Sequence, residues 1–293
     1  MKNRELARLI NGQNTSDGAG VKLKRIINPQ DKLPFDPFIL FDEFGSDEPM
    51  DYIKGFPEHP HRGFETVTYM LEGAMLHRDH LGNEGHLRKG DVQWMTAAHG
   101  ILHSEMPEQE DGLLHGFQLW LNLPAKEKMK PPHYKDIAAY NIPVVDLGGG
   151  SYLKLIAGQY HDGTGVISGA VQGIATQPIF MDVHFHGAQH LRIPSSSQHT
   201  ALVYVYKGEI TVGTEDDVIQ AGQLGQLVNG DNLFFETKEL AASFLVLAAL
   251  PLNEPVVQAG PFVMNTVEEI EQAFRDYRDG TLTLQQPVND NNQ

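Results

Sequence analysis

The sequence contains no cysteine. This absence excludes disulfide bonds, thiolate catalysis, and zinc or iron–sulfur centres built on cysteine. A metal site in this chain must therefore use the side chains of histidine, aspartate and glutamate. Histidine is the informative residue type among these, because 14 are present and most of them fall between His59 and His133.

Long apolar runs are also missing. No stretch of about 20 consecutive apolar residues is present, which predicts that no segment of the chain spans a membrane. The first twenty residues, MKNRELARLINGQNTSDGAG, lack the apolar segment of roughly 7 to 15 residues that marks a secretory signal peptide. We therefore expect the protein to be cytoplasmic.

Basic residues are outnumbered by acidic ones. The chain has 22 lysines and arginines against 38 aspartates and glutamates, so its formal net charge is −16. A nucleic-acid-binding surface needs a basic patch that gains affinity by displacing counterions from the phosphates. The composition therefore argues against direct binding of nucleic acid. Apolar residues make up 41% of the chain, which is ordinary for a globular protein with a core.

Short β-rich runs fill most of the chain. They are bounded by glycine, proline, asparagine or aspartate, and include ETVTYMLEG, GDVQWMTA, HGFQLWLNL, IFMDVHFHG, ALVYVYKGEITVG and ASFLVLAAL. Many short strands with turns every 8 to 12 residues or so predict an all-β sandwich or barrel. Helical spacing of apolar residues is convincing only in NTVEEIEQAFRDYRDG, which predicts one short helix over residues 265–279.

The segment LPAKEKMKPPHYKD interrupts the strand pattern. Its lysines and two prolines indicate a connection between domains. The sequence therefore predicts a first barrel over residues 1–124, a linker over 125–143, and a second barrel over 144–293 that ends in the helix.

The two halves of the chain are similar to each other. Each has a strand that ends at a turn glycine, Gly73 in the first half and Gly208 in the second. Each also has a further glycine, Gly90 or Gly222, that opens a later strand. An internal repeat of this kind in an all-β chain predicts two related barrels.

Two pairs of metal-ligating residues occur in the first half. His59 and His61 lie in FPEHPHRGFET, and His103 and Glu105 lie at the end of GDVQWMTAAHGILHSEMP. Residues i and i+2 of a strand share a face, so each strand presents two ligands to one side. A single pair of this kind is more often two polar residues on a strand face than a metal site. If the two strands meet inside a barrel, three imidazoles and one carboxylate form a site that suits iron, copper, nickel or zinc rather than calcium or magnesium.

The second half of the chain serves as an internal control for this site. At the same distances from Gly208 and Gly222, the second half carries none of the four ligands, and the corresponding residues are Pro194, Ser196, Phe235 and Thr237. A barrel can therefore close without the ligands. This favours a chemical role for the ligands in the first half.

Other histidines are weaker candidates for a metal site. His184 and His186 share a strand face but have no partner pair. His77, His80 and His86 lie in or beside the predicted hairpin LHRDHLGNEGH and are expected to be solvated. We therefore place the predicted site on the two spaced pairs alone.

These motifs resemble those of the cupin superfamily and, more closely, those of the pirin family. The first cupin motif, in outline G-x5-HxH-x3-4-E-x6-G, is similar to HPHRGFETVTYMLEG, whose last glycine comes one residue late. In the second motif Gly90 and His103 match, while the expected proline is absent and Glu105 is added, as in pirins. The blocks DPFILFDEFG and GPFVMNTVEEIEQAFRDYRDG are also pirin-like. The resemblance thus extends over nearly the whole chain.

The resemblance implies a bicupin, in which two double-stranded β-helix (jelly-roll) barrels belong to one chain and the N-terminal barrel holds one mononuclear metal. The pirin ligand set falls on His59, His61, His103 and Glu105. Glu65, a ligand in many other cupins, is not one in pirins. The implied metal is Fe(II), although nickel, copper, zinc or manganese is compatible with such ligands.

The resemblance also implies an activity, that of a quercetin 2,3-dioxygenase. The enzyme would cleave the heterocyclic ring of a flavonol such as quercetin with O2 and release carbon monoxide. Glu105 would take the proton of the flavonol 3-hydroxyl group as general base. Phe56, Met95, Trp94 and Phe117 are candidates for an apolar wall that holds the flat substrate.

Two other interpretations stay open at this stage. The animal pirin is a nuclear transcriptional coregulator, so the same iron could serve as a redox sensor that controls binding to a protein partner. Alternatively, the metal could only stabilise the barrel, although structural sites are usually closed and saturated. Because a second barrel packed on the first would let a single chain suffice, we expect a monomer.

Overall fold

The structure, a computed structural model, describes residues 1–29 and 35–284. The strands of the first half are β1 (Glu5–Asn11), β2 (Gln13–Asp17), β3 (Val21–Ile27), β4 (Phe38–Ser46), β5 (Phe56–His61), β6 (Phe64–Glu72), β7 (Ala74–Asp79), β8 (Glu84–Arg88), β9 (Val92–Thr96), β10 (Ile101–Pro107) and β11 (Leu114–Asn122).

The second half continues the strand pattern and ends in a helix. Its strands are β12 (His133–Ile137), β13 (Val144–Gly148), β14 (Ser151–Ala157), β15 (Gln159–His161), β16 (Val166–Ser168), β17 (Ile179–Phe185), β18 (Gln189–Pro194), β19 (Thr200–Lys207), β20 (Glu209–Val212), β21 (Asp217–Gln220), β22 (Gln223–Val228), β23 (Asn232–Thr237), β24 (Ala242–Ala249), β25 (Val257–Ala259) and β26 (Phe262–Met264). The helix α1 spans Val267–Arg278, and short 3-10 helices span Pro49–Asp51, Ala125–Glu127 and Ala139–Asn141.

The helix α1 confirms the predicted C-terminal helix, with ends slightly inside the predicted bounds. Thr266 caps it: the Thr266 hydroxyl accepts a hydrogen bond from the backbone N–H of Glu269, and the Glu269 carboxylate accepts one from the backbone N–H of Thr266. This reciprocal capping box satisfies two N–H groups that a helix start leaves unpaired. None of the helices that the structure describes is both long and apolar enough to cross a bilayer.

The chain forms two compact units. We call one the HxH unit, and its described residues are 16–22, 44–136 and 253–284. We call the other the second unit, and its described residues are 1–15, 23–29, 35–43 and 137–252.

The two units interleave along the chain, whereas the prediction placed two domains in succession, 1–124 and 144–293, joined by a linker over 125–143. Within the predicted linker, β12 forms an edge strand beside β9. The helix α1 belongs to the HxH unit rather than to the second, and its buried Asp276 forms an ion pair with Arg62 of the same unit at 2.7 Å. Such a pairing between distant residues leaves no trace in local sequence spacing.

Each unit is a barrel made of two antiparallel sheets. In the HxH unit the strand orders are β5-β10-β7-β8 and β12-β9-β6-β11, and the second sheet continues into the end of β4. In the second unit the orders are β18-β23-β20-β21 and β1-β22-β19-β24-β17-β14-β13. The predicted all-β fold, with two jelly-roll barrels and one short helix, is confirmed.

The interior of the second unit is apolar. Alternate residues of its strands point inward, such as Met181, Val183 and Phe185 on β17 and Phe244 and Val246 on β24, and all five are fully buried. This alternation is the period of two expected for strands that line one core. The HxH unit departs from this chemistry at one end of its smaller sheet.

Candidate metal centre

Strands β5 and β10 bring three of the predicted ligands together. His59 on β5 lies directly opposite His103 on β10, and His61 lies opposite Ile101. His59 and His61 are two residues apart in one strand and therefore share a face. The three imidazoles consequently lie on the same side of the sheet.

The imidazole nitrogens form a compact cluster. One ring nitrogen from each of His59, His61 and His103 lies within 4.8 Å of the other two. Nε2 of His59 is 3.1 Å from Nε2 of His61, close to the separation of about 3 Å expected for two nitrogens that each lie about 2.1 Å from one ion, at right angles. Among residues 1–29 and 35–284, this is the one group of three or more His, Asp and Glu side chains arranged to hold a metal ion.

The outward nitrogen of each ring has its own partner. Nδ1 of His59 lies 2.8 Å from the carbonyl oxygen of Pro57, and Nδ1 of His61 lies 3.4 Å from that of Pro261. A carbonyl oxygen can only accept, so these two rings carry their protons on Nδ1. Their Nε2 atoms are then bare lone pairs that face each other across 3.1 Å.

The inward nitrogens therefore lack a donor. Nε2 of His103 is buried and has no hydrogen-bond partner in the described part of the chain. A buried nitrogen without a partner is unfavourable, and the two facing lone pairs add repulsion. A divalent cation would satisfy all three atoms at once, so the residues present fit a metal with imidazole ligands.

Burial and neighbouring histidines favour the neutral form of the His61 and His103 imidazoles. Burial and the neighbouring His59 lower the pKa of the His61 imidazole well below its usual range. Burial and the adjacent His61 likewise lower the pKa of His103. Both rings are thus neutral near pH 7, and a neutral imidazole is the form that binds a metal.

Glu105 lies near the three histidines but outside their cluster. The ladder between β10 and β5 shifts its register between His103 and Glu105. The Glu105 carboxylate instead accepts a hydrogen bond from the Thr68 hydroxyl at 2.9 Å, and the Gln118 amide lies 3.5 Å away. Its assignments as fourth ligand and as general base therefore stay predictions.

Glu65 faces away from the three histidines. On β6 it is an odd number of residues from Thr68, whose side chain reaches Glu105, so the two lie on opposite faces of the strand. The Glu65 carboxyl accepts a hydrogen bond from the Thr96 hydroxyl at 2.7 Å, and burial raises its pKa. The position of Glu65 agrees with the pirin pattern, in which this residue is not a ligand.

Two of the four candidates for the apolar wall lie on the face of the sheet away from the histidines. Met95 lies opposite Thr66 and so on the same face of the sheet as Thr68. Trp94 lies opposite Val67, and Phe117 lies opposite Tyr69. Trp94 and Phe117 are therefore on the far face of the sheet, and including them in the wall was wrong. Both faces of this sheet are buried, so hydrophobicity alone does not tell them apart.

Trp120 is the aromatic residue that the sequence analysis missed. Its ring lies 5.1 Å from the ring of His61 and 4.4 Å from that of Phe64. It is partly exposed, and it lies opposite Thr66, on the same face as Met95. Trp120 is two residues from Gln118 and therefore shares a face of β11 with it. The sequence shows this spacing, but only the strand register shows that this face points to the histidines. Phe56, also predicted, begins β5 and lies opposite Glu105.

The histidines of the predicted hairpin fall into different environments. His86 is exposed, with ion-pair geometry to Glu108 at 2.7 Å. His80 accepts a hydrogen bond from the backbone N–H of Leu102. His77, predicted to be solvated, is completely buried, because the alternation of β7 turns it to the same side as the buried Met75. Nδ1 of His77 lies 3.3 Å from Nδ1 of His103.

The described residues of the second unit contain no comparable cluster of histidines. His184 Nε2 lies 2.8 Å from a carboxylate oxygen of the buried Asp182, and Nδ1 lies 3.2 Å from the Ser243 hydroxyl. The ring of Tyr152 stacks on His184 with centroids 4.5 Å apart. Both nitrogens of His184 are thus engaged, in agreement with the prediction that it is a poor candidate ligand.

Comparisons with known proteins agree with this architecture. A family model described as Pirin matches residues 20–121, and one described as Pirin C-terminal cupin domain matches residues 180–283. The chain is 50% identical over 282 residues to a Pseudomonas aeruginosa protein named "Putative quercetin 2,3-dioxygenase", with 96% of this chain and 99% of the relative covered.

Two further matches are more distant. The chain is 40% identical over 274 residues to human pirin, with 90% of this chain and 88% of the relative covered. A crystal structure of quercetin 2,3-dioxygenase from Acinetobacter baumannii superposes with a TM-score of 0.87 at 33% identity, covering 96% of this chain and 98% of the other. Matched by both family models and by full-length relatives at this identity, the chain belongs to the pirin family.

Proposed function

We propose that the HxH unit binds one mononuclear divalent metal through His59, His61 and His103, with Glu105 as the fourth ligand. The observation that carries this proposal is the convergence of three imidazoles whose Nε2 atoms have no donor in the described residues. Three imidazoles and a carboxylate suit Fe(II), and nickel, copper, zinc or manganese are the competing ions.

We further propose that the protein is a dioxygenase that opens the heterocyclic ring of flavonols such as quercetin with O2 and releases carbon monoxide. The Pseudomonas relative is named "Putative quercetin 2,3-dioxygenase" and the Acinetobacter structure is named as that of a quercetin 2,3-dioxygenase, and both names support this substrate class. When bound, the metal supplies a Lewis acid and a site for the activation of dioxygen.

The protein residues have separate tasks in this proposal. Glu105 takes the proton of the flavonol 3-hydroxyl group onto a carboxylate oxygen, which makes the ring electron-rich. Thr68 holds that carboxylate by its hydrogen bond of 2.9 Å. Trp120, whose ring lies beside His61 and 4.4 Å from that of the buried Phe64, forms an apolar wall suited to a flat aromatic substrate.

The test is oxygen uptake and carbon monoxide release with quercetin by iron-loaded protein, compared with His61→Ala. We expect both signals from the wild type and neither from the variant, because the variant lacks one of three imidazole ligands. His86→Ala is the matched control, since His86 is half exposed and lies outside the cluster; it should keep full activity.

Failure of this experiment has a definite meaning. A folded, iron-loaded wild type that consumes no oxygen with quercetin would reject the flavonol dioxygenase. The redox-sensing hypothesis would then be tested next, by searching for a protein partner whose affinity differs between the Fe(II) and Fe(III) forms.

A further inference from the structure

The three metal histidines differ in what holds their outward nitrogens. His59 and His61 use backbone carbonyl oxygens, those of Pro57 and Pro261. His103 instead uses a side chain, His77, whose Nδ1 lies 3.3 Å from Nδ1 of His103. Because a substitution leaves a backbone carbonyl in place, His77 is the one of these three hydrogen-bond partners that a substitution can remove.

His77 is confined in its position. It is completely buried, and the ring of Tyr134 stacks on it with centroids 5.5 Å apart and planes inclined by 26°. On β7 it lies opposite Glu105 on one side and Gly85 on the other. A buried, stacked ring has little rotational freedom, so it presents its Nδ1 to His103 in one orientation.

The protonation of the pair follows from the metal. Two Nδ1 atoms at 3.3 Å form a hydrogen bond only if one of them carries the proton. With a cation on Nε2 of His103, that neutral ring must carry its proton on Nδ1, so His103 donates and His77 accepts. His77 then carries its own proton on Nε2, an atom that is buried and without a partner in the described ranges.

We propose that His77 is a positioning residue for the metal ligand His103. By accepting the Nδ1–H of His103, it selects the tautomer that turns Nε2 toward the metal and holds the ring in that orientation. Outer partners of this kind typically change metal affinity by about 10- to 100-fold when they are removed. This proposal rests on the proposed metal site but not on the identity of the substrate.

A purely structural role makes a different prediction. If His77 only fills space beneath Tyr134, an apolar residue of similar volume would preserve metal binding. If His77 acts as an acceptor, a smaller residue that keeps an acceptor at the same place would preserve binding better. The oxygen of an asparagine side chain occupies nearly the place of histidine Nδ1, so His77→Asn and His77→Leu separate the two roles.

The experiment measures Co²⁺ binding to the full chain by calorimetry and by the visible d–d spectrum. We expect His77→Leu to bind about 10- to 100-fold more weakly with an altered spectrum, and His77→Asn to lie closer to the wild type. His86→Leu, an exposed histidine on the adjacent strand β8, should match the wild type. Wild-type affinity and spectrum in His77→Leu would overturn the proposal.

A second measurement needs no variant and therefore decides the matter even if His77→Leu fails to fold. Long-range ¹H–¹⁵N spectra of the Zn²⁺-loaded wild type report the tautomer of each ring. We expect the proton of His103 on Nδ1 and that of His77 on Nε2, and a proton on Nδ1 of His77 would overturn the proposal.

The outcomes also separate this proposal from the proposed enzyme. A wild type that binds Co²⁺ but does not oxidise quercetin when iron-loaded would reject the dioxygenase and leave the role of His77 intact. A wild type that binds no Co²⁺ would overturn both proposals.

Discussion

The smaller sheets of the two units share one strand order but carry opposite chemistry. In the HxH unit His103 on β10 lies opposite His59 on β5. In the second unit Phe235 on β23 lies opposite Leu191 on β18. Phe235 follows Gly222 by the same number of residues as His103 follows Gly90, so these two positions correspond, and Leu191 corresponds to His59.

The strand register corrects part of the comparison made from sequence. The counterparts of His59 and His61 are Leu191 and Ile193, not Pro194 and Ser196 as equal spacing suggested. The reason is that the connection from β18 to β19 is three residues longer than the connection from β5 to β6. The conclusion that the second half carries none of the three histidine ligands holds under either alignment.

The contrast shows what the imidazoles are for. Leu191, Ile193 and Phe235 belong to the apolar core of the second unit, at 3%, 1% and 0% exposure. The second unit therefore has apolar side chains at the positions where the HxH unit has imidazoles. Buried nitrogens without partners are unfavourable, so the HxH unit gives up packing stability for ligand atoms, which is consistent with a site that binds something.

The largest effect should come from giving the HxH unit the residues of the second unit. We expect the triple variant His59→Leu, His61→Ile, His103→Phe to lose metal binding completely. At a metal concentration 1,000 times the dissociation constant, the wild type should gain about 4 kcal/mol of unfolding free energy, and the variant should gain none. Calorimetric unfolding with and without metal measures this difference.

Without metal, we do not expect the wild type to have a higher unfolding free energy than the triple variant. Burying apolar groups in place of unpaired nitrogens should leave the metal-free triple variant as stable as the metal-free wild type, or more stable by up to about 3 kcal/mol. A triple variant that still gains stability from metal would show that the ion binds elsewhere. One that cannot fold would show that the imidazoles are needed for packing.

A second effect concerns a buried ion pair next to His61, which we call the anchor because it joins the end of β5 to α1. Arg62, between His61 and Gly63, is 3% exposed at its side chain and pairs with Asp276 of α1 at 2.7 Å. Removing one member of a buried ion pair leaves an uncompensated charge, so Asp276→Asn should lower the unfolding free energy by about 3 to 5 kcal/mol. Denaturant unfolding of the metal-free protein measures the loss.

The control for this anchor lies on the same helix. Glu271 pairs with Arg275 at 3.7 Å, but both side chains are about half exposed. Exposed pairs of this type contribute about 0.3 to 0.5 kcal/mol, so Glu271→Gln should be nearly neutral. Equal losses in Asp276→Asn and Glu271→Gln would mean that the Arg62 pair does not anchor the ligand strand.

Local patterns predicted the elements and the clustered histidines, because both depend on short spacings. The HxH motif and the strand alternation pointed to His59, His61 and His103, and the helical spacing of apolar residues pointed to α1. What local patterns did not predict depends on register and on distant contacts. Trp94 and Phe117 lie on the far side of a sheet that is buried on both faces.

Long-range contacts account for the remaining differences. His77 is buried beside His103 because β7 pairs with β10, which its position in a polar hairpin sequence did not indicate. The ion pair of Arg62 with Asp276 joins residues 214 positions apart. It is such contacts that attach α1 to the HxH unit.

The smallest effect should come from Glu65, which tests whether the two faces of the large sheet in the HxH unit are separate. We expect Glu65→Gln to leave metal affinity within about 0.5 kcal/mol of the wild type, as for sites that share no contacts. Glu105→Gln, on β10 of the smaller sheet and next to Thr68 on the inner face of the large sheet, should weaken binding more. Comparable losses in both variants would mean that the two faces are coupled.

Stability should respond to pH in a way that identifies Glu65. Burial raises the pKa of Glu65 in the folded protein, so the native state holds its proton at pH values where the unfolded chain has released it. Its contribution to stability is therefore present at low pH and is lost as pH rises from the unfolded pKa through the folded one. Glu65→Gln cannot ionise, so its unfolding free energy should fall less over this range than that of the wild type. Parallel pH profiles for the two proteins would show that the Glu65 carboxyl does not have a raised pKa. Glu65 would then have to be charged near pH 7 although it is buried on the far face of the sheet.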